Sequence, residues 1–461
     1  MLDILQTITV FIIAMSILIT VHEYGHFLVA RRCGVFIECF SIGFGKTLIS
    51  WYDRYGTRYI ICLFPFGGYV KMFSTNTSAT YIRTNLQPKQ NFNNQSLLHQ
   101  AAIISAGPIA NFILAIICYW VVFVYGITNI KPIIHEVKEG SIAFQSGIPR
   151  NMEFKSIGDI ETYNWNDVRM ALITQIGSNI PVKLVPFNQV STKEIVKSIN
   201  LHNWHINPNL QDPIISIGIQ PYQSKTEFLL DRISPYSIAS KIGLQDGDKI
   251  LKVNGQQLKN WPDLMKLICD NFNHTIKLVI KRNSQIFSVY LSSNRKDGVW
   301  KNGKCFFGAI PHYVPLDDRF KNQQKYNPIA AVLGAERKTW QLSKLTFRIL
   351  KKVIIGKISL NTISGPISIA QGASISAKHG WLAYLMFLAL ISINLGIINL
   401  LPLPILDGGY LLFILIEKIK RQSISDKFKH IIFNIGTILV ILLMALAIFN
   451  DCSRILVNIT K

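Results

Sequence analysis

Val21-His22-Glu23-Tyr24-Gly25-His26 lies inside an apolar run from about Ile4 to Ala30, and these six residues decide how the rest of the chain is read. Residues four apart share one face of a helix, so the imidazoles of His22 and His26 can converge on one metal ion. Glu23 stands beside them, placed to act as a general base on an attacking water. An ionisable group deep in a membrane helix costs about 2.5–3.5 kcal/mol and is rare without a function. Three within five positions demand compensation, which a divalent cation supplies; a polar cluster satisfied by neighbouring helices is the bland alternative. The run is long enough to cross a bilayer, for which about 20 apolar residues suffice. Only Asp3 precedes it as a charge and it lacks a small-residue cleavage site, so it reads as a retained membrane helix.

Three more apolar runs follow, at about Ala101 to Tyr125, Trp381 to Leu401 and Ile431 to Phe449. They account for a composition that is 49% hydrophobic and only 16% charged, where a soluble domain carries about 25% charged residues. The net charge of +22 is unevenly placed. Between the first two runs stand eight Lys/Arg against two acids, and Lys418, Lys420, Arg421, Lys427 and Lys429 fall between the last two. Basic short loops mark the cytoplasmic side, which puts both termini and the long 126–380 segment outside the cytoplasm. The excess is explained by topology and a Lys/Ile/Asn-rich composition, so no nucleic acid is expected as a partner.

Zinc in a catalytic site takes three protein ligands and keeps one position open. The best third candidate is Asp407, a lone carboxylate in Asn399-Leu400-Leu401-Pro402-Leu403-Pro404-Ile405-Leu406-Asp407-Gly408-Gly409. Its prolines interrupt the helix and can turn the carboxylate inward; the alternative is a helix-end aspartate at the cytoplasmic surface.

The exported segment repeats itself. Ser141-Ile142-Ala143 recurs as Ser237-Ile238-Ala239, Gly147 as Gly243, Trp165 as Trp261 and Asp167 as Asp263, each 96 residues on. Such a period means two copies of a compact β-rich unit in tandem. Thr47–Tyr52 and Arg58–Leu63 read as strands around a polar turn, continuing into Phe64–Lys71 as a hairpin that dips into the membrane. Residues 336–360 read as an amphipathic helix on the outer surface or as a plain connector. The seven cysteines form no regular framework, though Cys269 and Cys305 both lie in the exported part.

With these motifs in place the chain resembles the site-2 protease family of intramembrane metalloproteases over essentially its whole length. His22–His26 fits the family's first motif, Asn399–Gly408 its N-x-x-P-x-P-x-L-D-G motif, and Ala106-Gly107-Pro108-Ile109-Ala110-Asn111 its second-helix signature. Gly67-Gly68-Tyr69-Val70-Lys71 matches the loop that lies against substrate as an added strand. The resemblance implies one Zn2+ per chain held by His22, His26 and Asp407, with Glu23 as catalytic base. It implies substrate contacts from Asn399, Gly67, Gly68 and Tyr69. It makes the repeats tandem PDZ-like domains of the circularly permuted kind. Its partners are the lipid bilayer and single-pass membrane proteins already trimmed by another protease, such as an anti-sigma factor, and leftover signal peptides. Its location is the bacterial inner membrane, with the PDZ-like domains and both termini periplasmic. Two departures stand out: Tyr410 where close relatives tend to have histidine, and Pro149-Arg150-Asn151-Met152 where the second repeat has Gln245-Asp246-Gly247-Asp248. The second bears on the turn geometry of the first repeat.

The fold expected is a multi-pass α-helical membrane protein with four transmembrane helices, a membrane-associated β-hairpin region and two tandem extracytoplasmic PDZ-like β-rich domains. Its divisions fall at 1–126 (first half of the membrane core), 127–221 and 222–313 (the repeats), 314–380 (connector) and 381–461 (second half of the core). The function expected is intramembrane zinc endopeptidase. An ion-coupled transporter would also bury His, Glu and Asp, but needs neither this spacing nor the repeats; a catalytically dead PDZ scaffold would be expected to have lost ligands that are all present. Chelator-sensitive cleavage of a membrane-helix substrate separates the three.

Overall fold

A computed structural model describes residues 2–73, 90–187, 193–206, 211–222, 226–234, 237–257, 260–270, 275–291, 300–301, 304–305, 307–314, 316–360, 364–422 and 424–460. The first apolar run is one helix, α1 (Leu2–Arg32), with Arg31 and Arg32 in its last turn, where the helix dipole favours cations. It exits through Gly34 at φ +79°, a left-handed conformation that glycine adopts without a Cβ penalty.

Two long strands follow, β1 (Ile37–Tyr52) and β2 (Arg58–Met72). They extend well beyond the two short strands expected from sequence. Their register shows why: Phe40 faces both Tyr59 and Val70, and Ser41 faces both Ile60 and Tyr69. The pair is bent, so that the start of β1 lies between the two halves of β2. The sheet therefore runs 47–52, 58–62, 39–42, 68–72, and Gly68–Met72 forms one edge. Arg31 pairs with Asp53 in the polar turn, tying the hairpin to the end of α1.

The second helix, α2 (Leu97–Tyr125), is capped by Ser96, whose hydroxyl accepts the His99 amide at 3.2 Å. Two β-rich units come next. The first contains β3 (Ile127–Ile130), β4 (Ile134–Val137), α3 (Ile142–Gln145), β5 (Met152–Ile157), β6 (Ile160–Glu161), α4 (Trp165–Thr174), β7 (Asn179–Pro186), β8 (Ile195–Asn200), α5 (Pro213–Ser216) and β9 (Ile219–Pro221). The second contains β10 (Thr226–Ile233), α6 (Ile238–Lys241), β11 (Lys249–Val253), α7 (Trp261–Asp270), β12 (Ile276–Arg282), β13 (Gln285–Leu291), β14 (Trp300–Lys301), β15 (Lys304–Cys305) and β16 (Ala309–Tyr313).

The 96-residue period is visible in these elements. α6 and α7 start and end 96 residues after α3 and α4. The turn at Pro149–Met152 departs in sequence but not in shape. Asn151 has φ +59° where Gly247, 96 residues on, has φ +88°. The Asn151 amide donates to Ile134 at 2.9 Å as the Gly247 amide donates to Leu230 at 2.7 Å. Asparagine keeps the turn because its short polar side chain tolerates the left-handed region. Each unit has its own core, one around Phe154, Leu172 and Leu184, the other around Leu230, Leu264 and Leu278. The side chains of Cys269 and Cys305 lie outside the described residues.

β17 (Lys321–Gln324) returns to pair with β3, closing the segment that holds both β-rich units on itself. It leads into α8 (Pro328–Ile354), which starts earlier than the stretch expected at 336–360. Leu345 enters the core of the first β-rich unit, with Ile349 and Val353 packed against it. Arg348 pairs with Asp159 at 2.7 Å and Lys338 with Asp167 at 2.8 Å. The same helix packs on α2 and on α10 (Trp381–Asn399), so it joins the first unit to the membrane helices. Between them lies α9 (Pro366–Lys378), whose start is capped by Asp451 of a later helix through the Gly365 and Ser368 amides, both at 3.0 Å.

After α10 the chain runs non-helical from 401 to 406 and then enters α11 (Asp407–Lys420), a helix not foreseen from the sequence. It ends in α12 (Asp426–Thr460). Among the described residues four helices are long and apolar enough to cross a membrane: Ile4–Arg32, Leu97–Tyr125, Trp381–Asn399 and Lys427–Arg454. α2 is central, packing on α1, α8, α10 and α11.

Candidate active site

His22 and His26 sit one turn apart on α1, both buried, facing α2. Close approach is required there, and glycine permits it twice. A Cβ on Gly25 would fall 2.4 Å from the Ala106 carbonyl oxygen. A Cβ on Gly107 would fall 2.2 Å from Nε2 of His26 and 2.8 Å from Cε1 of His22. The imidazoles thus occupy the space that a side chain at 107 would need. Pro108 lies within this turn of α2, and it offers no N–H to the helix. One turn back, the Ile103 carbonyl lies 2.9 Å from Nδ1 of His26. A carbonyl only accepts, so Nδ1 of His26 carries the proton and its Nε2 lone pair is free. Nδ1 of His22 meets the side-chain amide of Asn111 at 3.0 Å.

Asp407 arrives from the other half of the chain. Gly408 and Gly409 let the start of α11 press against the loop before it, since a Cβ on either would lie within 2.4 Å of a loop carbonyl oxygen. This seats Oδ2 of Asp407 3.2 Å from Nε2 of His22 and 3.5 Å from Nε2 of His26, and the two Nε2 atoms are 3.2 Å apart. The three atoms form a compact triangle. Tetrahedral ligands at about 2.0–2.1 Å from zinc stand about 3.3 Å from one another, so the spacing fits. Oδ2 of Asp407 is also buried without a well-formed hydrogen bond, as expected of an oxygen aimed at a cation. Among the described residues this is the one group of His, Cys, Asp and Glu side chains with metal-ligating proximity.

The remaining expected residues gather around the triangle. Glu23, half-buried, faces the edge of the hairpin: a Cβ on Gly68 would lie 3.0 Å from its Cγ, and the Val70 amide points toward it. Gly67 lies against Phe44, where a Cβ would fall 1.8 Å from the ring. Tyr69 stacks on Phe44 with centroids 6.1 Å apart. Asn399, at the end of α10, places Nδ2 3.5 Å from Nε2 of His22. Tyr410 turns away to pack on Phe433 at 5.0 Å, clear of the ligand triangle. His22, His26 and Asp407 meet at the triangle with Glu23, Gly68 and Asn399 beside it, whereas Gly67 and Tyr69 are placed against Phe44. Gly107 and Asn111 also belong beside the triangle. Both fall within the second-helix signature Ala106–Asn111, where a lone asparagine in an apolar helix is the signal for a buried polar contact.

A His-Glu-x-x-His helix met by a distant aspartate forms a cluster of donors suited to one metal ion. Comparison with known proteins agrees. The model of peptidase family M50 matches residues 10–443. The chain is 48% identical over 456 residues to Protease RseP of Yersinia pestis, covering 99% of this chain and 100% of that protein. It is 45% identical over 458 residues to Regulator of sigma-E protease RseP of Escherichia coli (strain K12), with coverage of 99% and 100%. It is 39% identical over 458 residues to a Putative zinc metalloprotease of Vibrio cholerae, again with coverage of 99% and 100%. The chain belongs to peptidase family M50 and is a zinc metalloprotease of the site-2 type.

Proposed function

We propose that this protein is an intramembrane endopeptidase in which His22, His26 and Asp407 hold one zinc ion and Glu23 is the catalytic base. The observation that carries the reading is the 3.2–3.5 Å triangle of Nε2, Nε2 and Oδ2 with Glu23 on the next residue. When bound, zinc would polarise the scissile carbonyl and acidify a water. Glu23 takes the proton of the attacking water and returns it to the leaving amine. Asn399, within reach of the same point, contacts the substrate backbone beside the scissile bond.

A substrate helix must unwind first, because its hydrogen bonds shield its carbonyls. The edge at Gly68–Met72 turns outward-facing backbone groups toward the side of Glu23, and an extended substrate segment added there regains the hydrogen bonds it lost. Gly68 and Tyr69 on that edge, and Gly67 just before it, are the contact positions.

The substrates are single-pass membrane proteins trimmed beforehand, of which an anti-sigma factor and remnant signal peptides are the kinds the family resemblance implies. The two β-rich units are PDZ-like domains that exclude substrates with bulky outer domains; recruitment of substrate through the strands near Ile217-Gly218-Ile219 and Phe307-Gly308-Ala309 is the competing reading. The location is the bacterial inner membrane, with both termini and these domains periplasmic and Arg31, Arg32 and Lys418–Lys429 cytoplasmic. Purified protein should cut a model transmembrane substrate in a chelator-sensitive manner; chelator-resistant cutting would overturn the metal mechanism. Single-cysteine labelling at 140 and 420 from the outer side would overturn the topology if only the latter reacted.

A further inference from the structure

We propose that Asn111 is a positioning residue for the metal: its side-chain oxygen accepts the Nδ1–H of His22 and so keeps Nε2 of that ring as the ligand atom. The inference rests on the zinc site proposed above. For His26 the task belongs to the Ile103 carbonyl, which can only accept and so leaves Nε2 unprotonated. The group at Nδ1 of His22 is instead the Asn111 amide, 3.0 Å away. Nε2 of His22 points at the triangle, facing Nε2 of His26 and Oδ2 of Asp407. A ring that gives its Nε2 lone pair to a cation carries its proton on Nδ1, and only the oxygen of a carboxamide can receive that proton.

Two observations support the oxygen-inward orientation. Asn111 is fully buried, so no exposed water serves its outer atom. With nitrogen toward His22, its Oδ1 is buried without a hydrogen-bond partner. Oxygen and nitrogen of an amide are interchanged by a half-turn, and assignment follows from the hydrogen-bond network. The half-turn brings the orphaned acceptor onto the Nδ1–H and moves the amide N–H2 to the place Oδ1 held. The backbone at this point is held as well: Oγ of Ser392 donates to the Asn111 carbonyl at 2.7 Å, linking it to α10, the helix that ends in Asn399. Ile103 and Asn111 thus hold the two imidazoles from two turns of α2, on either side of Gly107.

The test uses the full chain in detergent, with zinc affinity measured by chelator competition. Asn111→Leu keeps the branched heavy-atom skeleton and removes the acceptor, and should bind zinc about 10–100-fold more weakly. Asn111→Asp keeps an acceptor oxygen and should stay within about threefold of wild type. A residue that merely packs would give the reverse order, since leucine suits a buried site and an unpaired carboxylate does not. Selective 15N-histidine spectra supply a second readout: zinc-loaded wild type should show a slowly exchanging Nδ1–H on His22 that Asn111→Leu loses. Wild-type zinc affinity in Asn111→Leu, or His22 protonated on Nε2 in the zinc form, would overturn the proposal. If thermal unfolding shows that the aspartate variant does not fold, the leucine variant and the spectra still decide. Wild-type protein that binds no zinc would sink the metal reading itself, a result distinct from either.

Discussion

The most demanding test of the site's geometry is the smallest change to it, Gly107→Ala. The added methyl carbon would lie 2.2 Å from Nε2 and 2.6 Å from Cε1 of His26, and 2.8 Å from Cε1 of His22. Carbon and nitrogen in ordinary contact stand about 3.5 Å apart, so the rings must retreat by more than about 1 Å. The helices have little freedom to separate instead. Gly25 already brings α1 against Ala106, where even a Cβ would be 2.4 Å from backbone oxygen. Zinc–ligand distances tolerate about ±0.2 Å, several times less than the retreat required. Displacing a ligand should cost more than losing one of its supporting partners, so zinc affinity should fall by at least about 100-fold, or about 2.7 kcal/mol. Overpacking should cost the zinc-free fold about 1–3 kcal/mol. Chelator competition, thermal unfolding of the metal-free protein and cleavage of a model transmembrane substrate measure the three effects. An alanine variant with wild-type zinc affinity and turnover would refute the claim that residue 107 is glycine to make room for the imidazoles.

Glu23→Gln should keep zinc and substrate binding while kcat falls by about 10²–10⁴-fold, because the lost proton transfer occurs only in the transition state; lost zinc would instead make Glu23 a support of the metal. Asp407→Ala should bind zinc far more weakly, measured by metal content after gel filtration, and full occupancy would remove Asp407 from the ligand set. Deleting 128–312 should let untrimmed substrates be cut, whereas abolished cutting of trimmed ones would make the two β-rich units recruiters rather than filters. Leu345→Ala, at a position only 3% exposed in the core of the first β-rich unit, should cost about 2–5 kcal/mol and loosen that unit from α8. Removing the half-exposed Arg348–Asp159 pair should cost at most about 1 kcal/mol. Limited proteolysis of 127–221 would rank the two, and equal protection in both would refute the ranking.

By itself the sequence determined what depends on local periodicity and transfer free energy. Four long apolar runs read as helices long enough to cross a membrane, since in hydrocarbon a helix satisfies its own backbone. The four-residue spacing put His22 and His26 on one face with Glu23 adjacent, and a helix geometry needs no partner to do that. The 96-residue period showed that two similar units follow each other, and α3/α6 and α4/α7 keep it. Even the departing turn at Asn151 was legible in principle, since asparagine is the residue that most readily replaces a left-handed glycine. The tertiary structure decided everything that requires two distant segments to touch. Asp407 meets His22 across 385 positions of sequence because Gly408 and Gly409 fold α11 back on the 401–406 loop, a packing that no local pattern encodes. The bend that makes Gly68–Met72 an edge beside Glu23 appears only in the pairing register, as hydropathy is blind to which strand half lies outside. The empty space at Gly107 and the amide of Asn111 acquire their purpose only when α2 lies against α1. A glycine in a helix reads alone as a weak helix former, and it becomes a requirement once two imidazoles fill the volume its side chain would have taken.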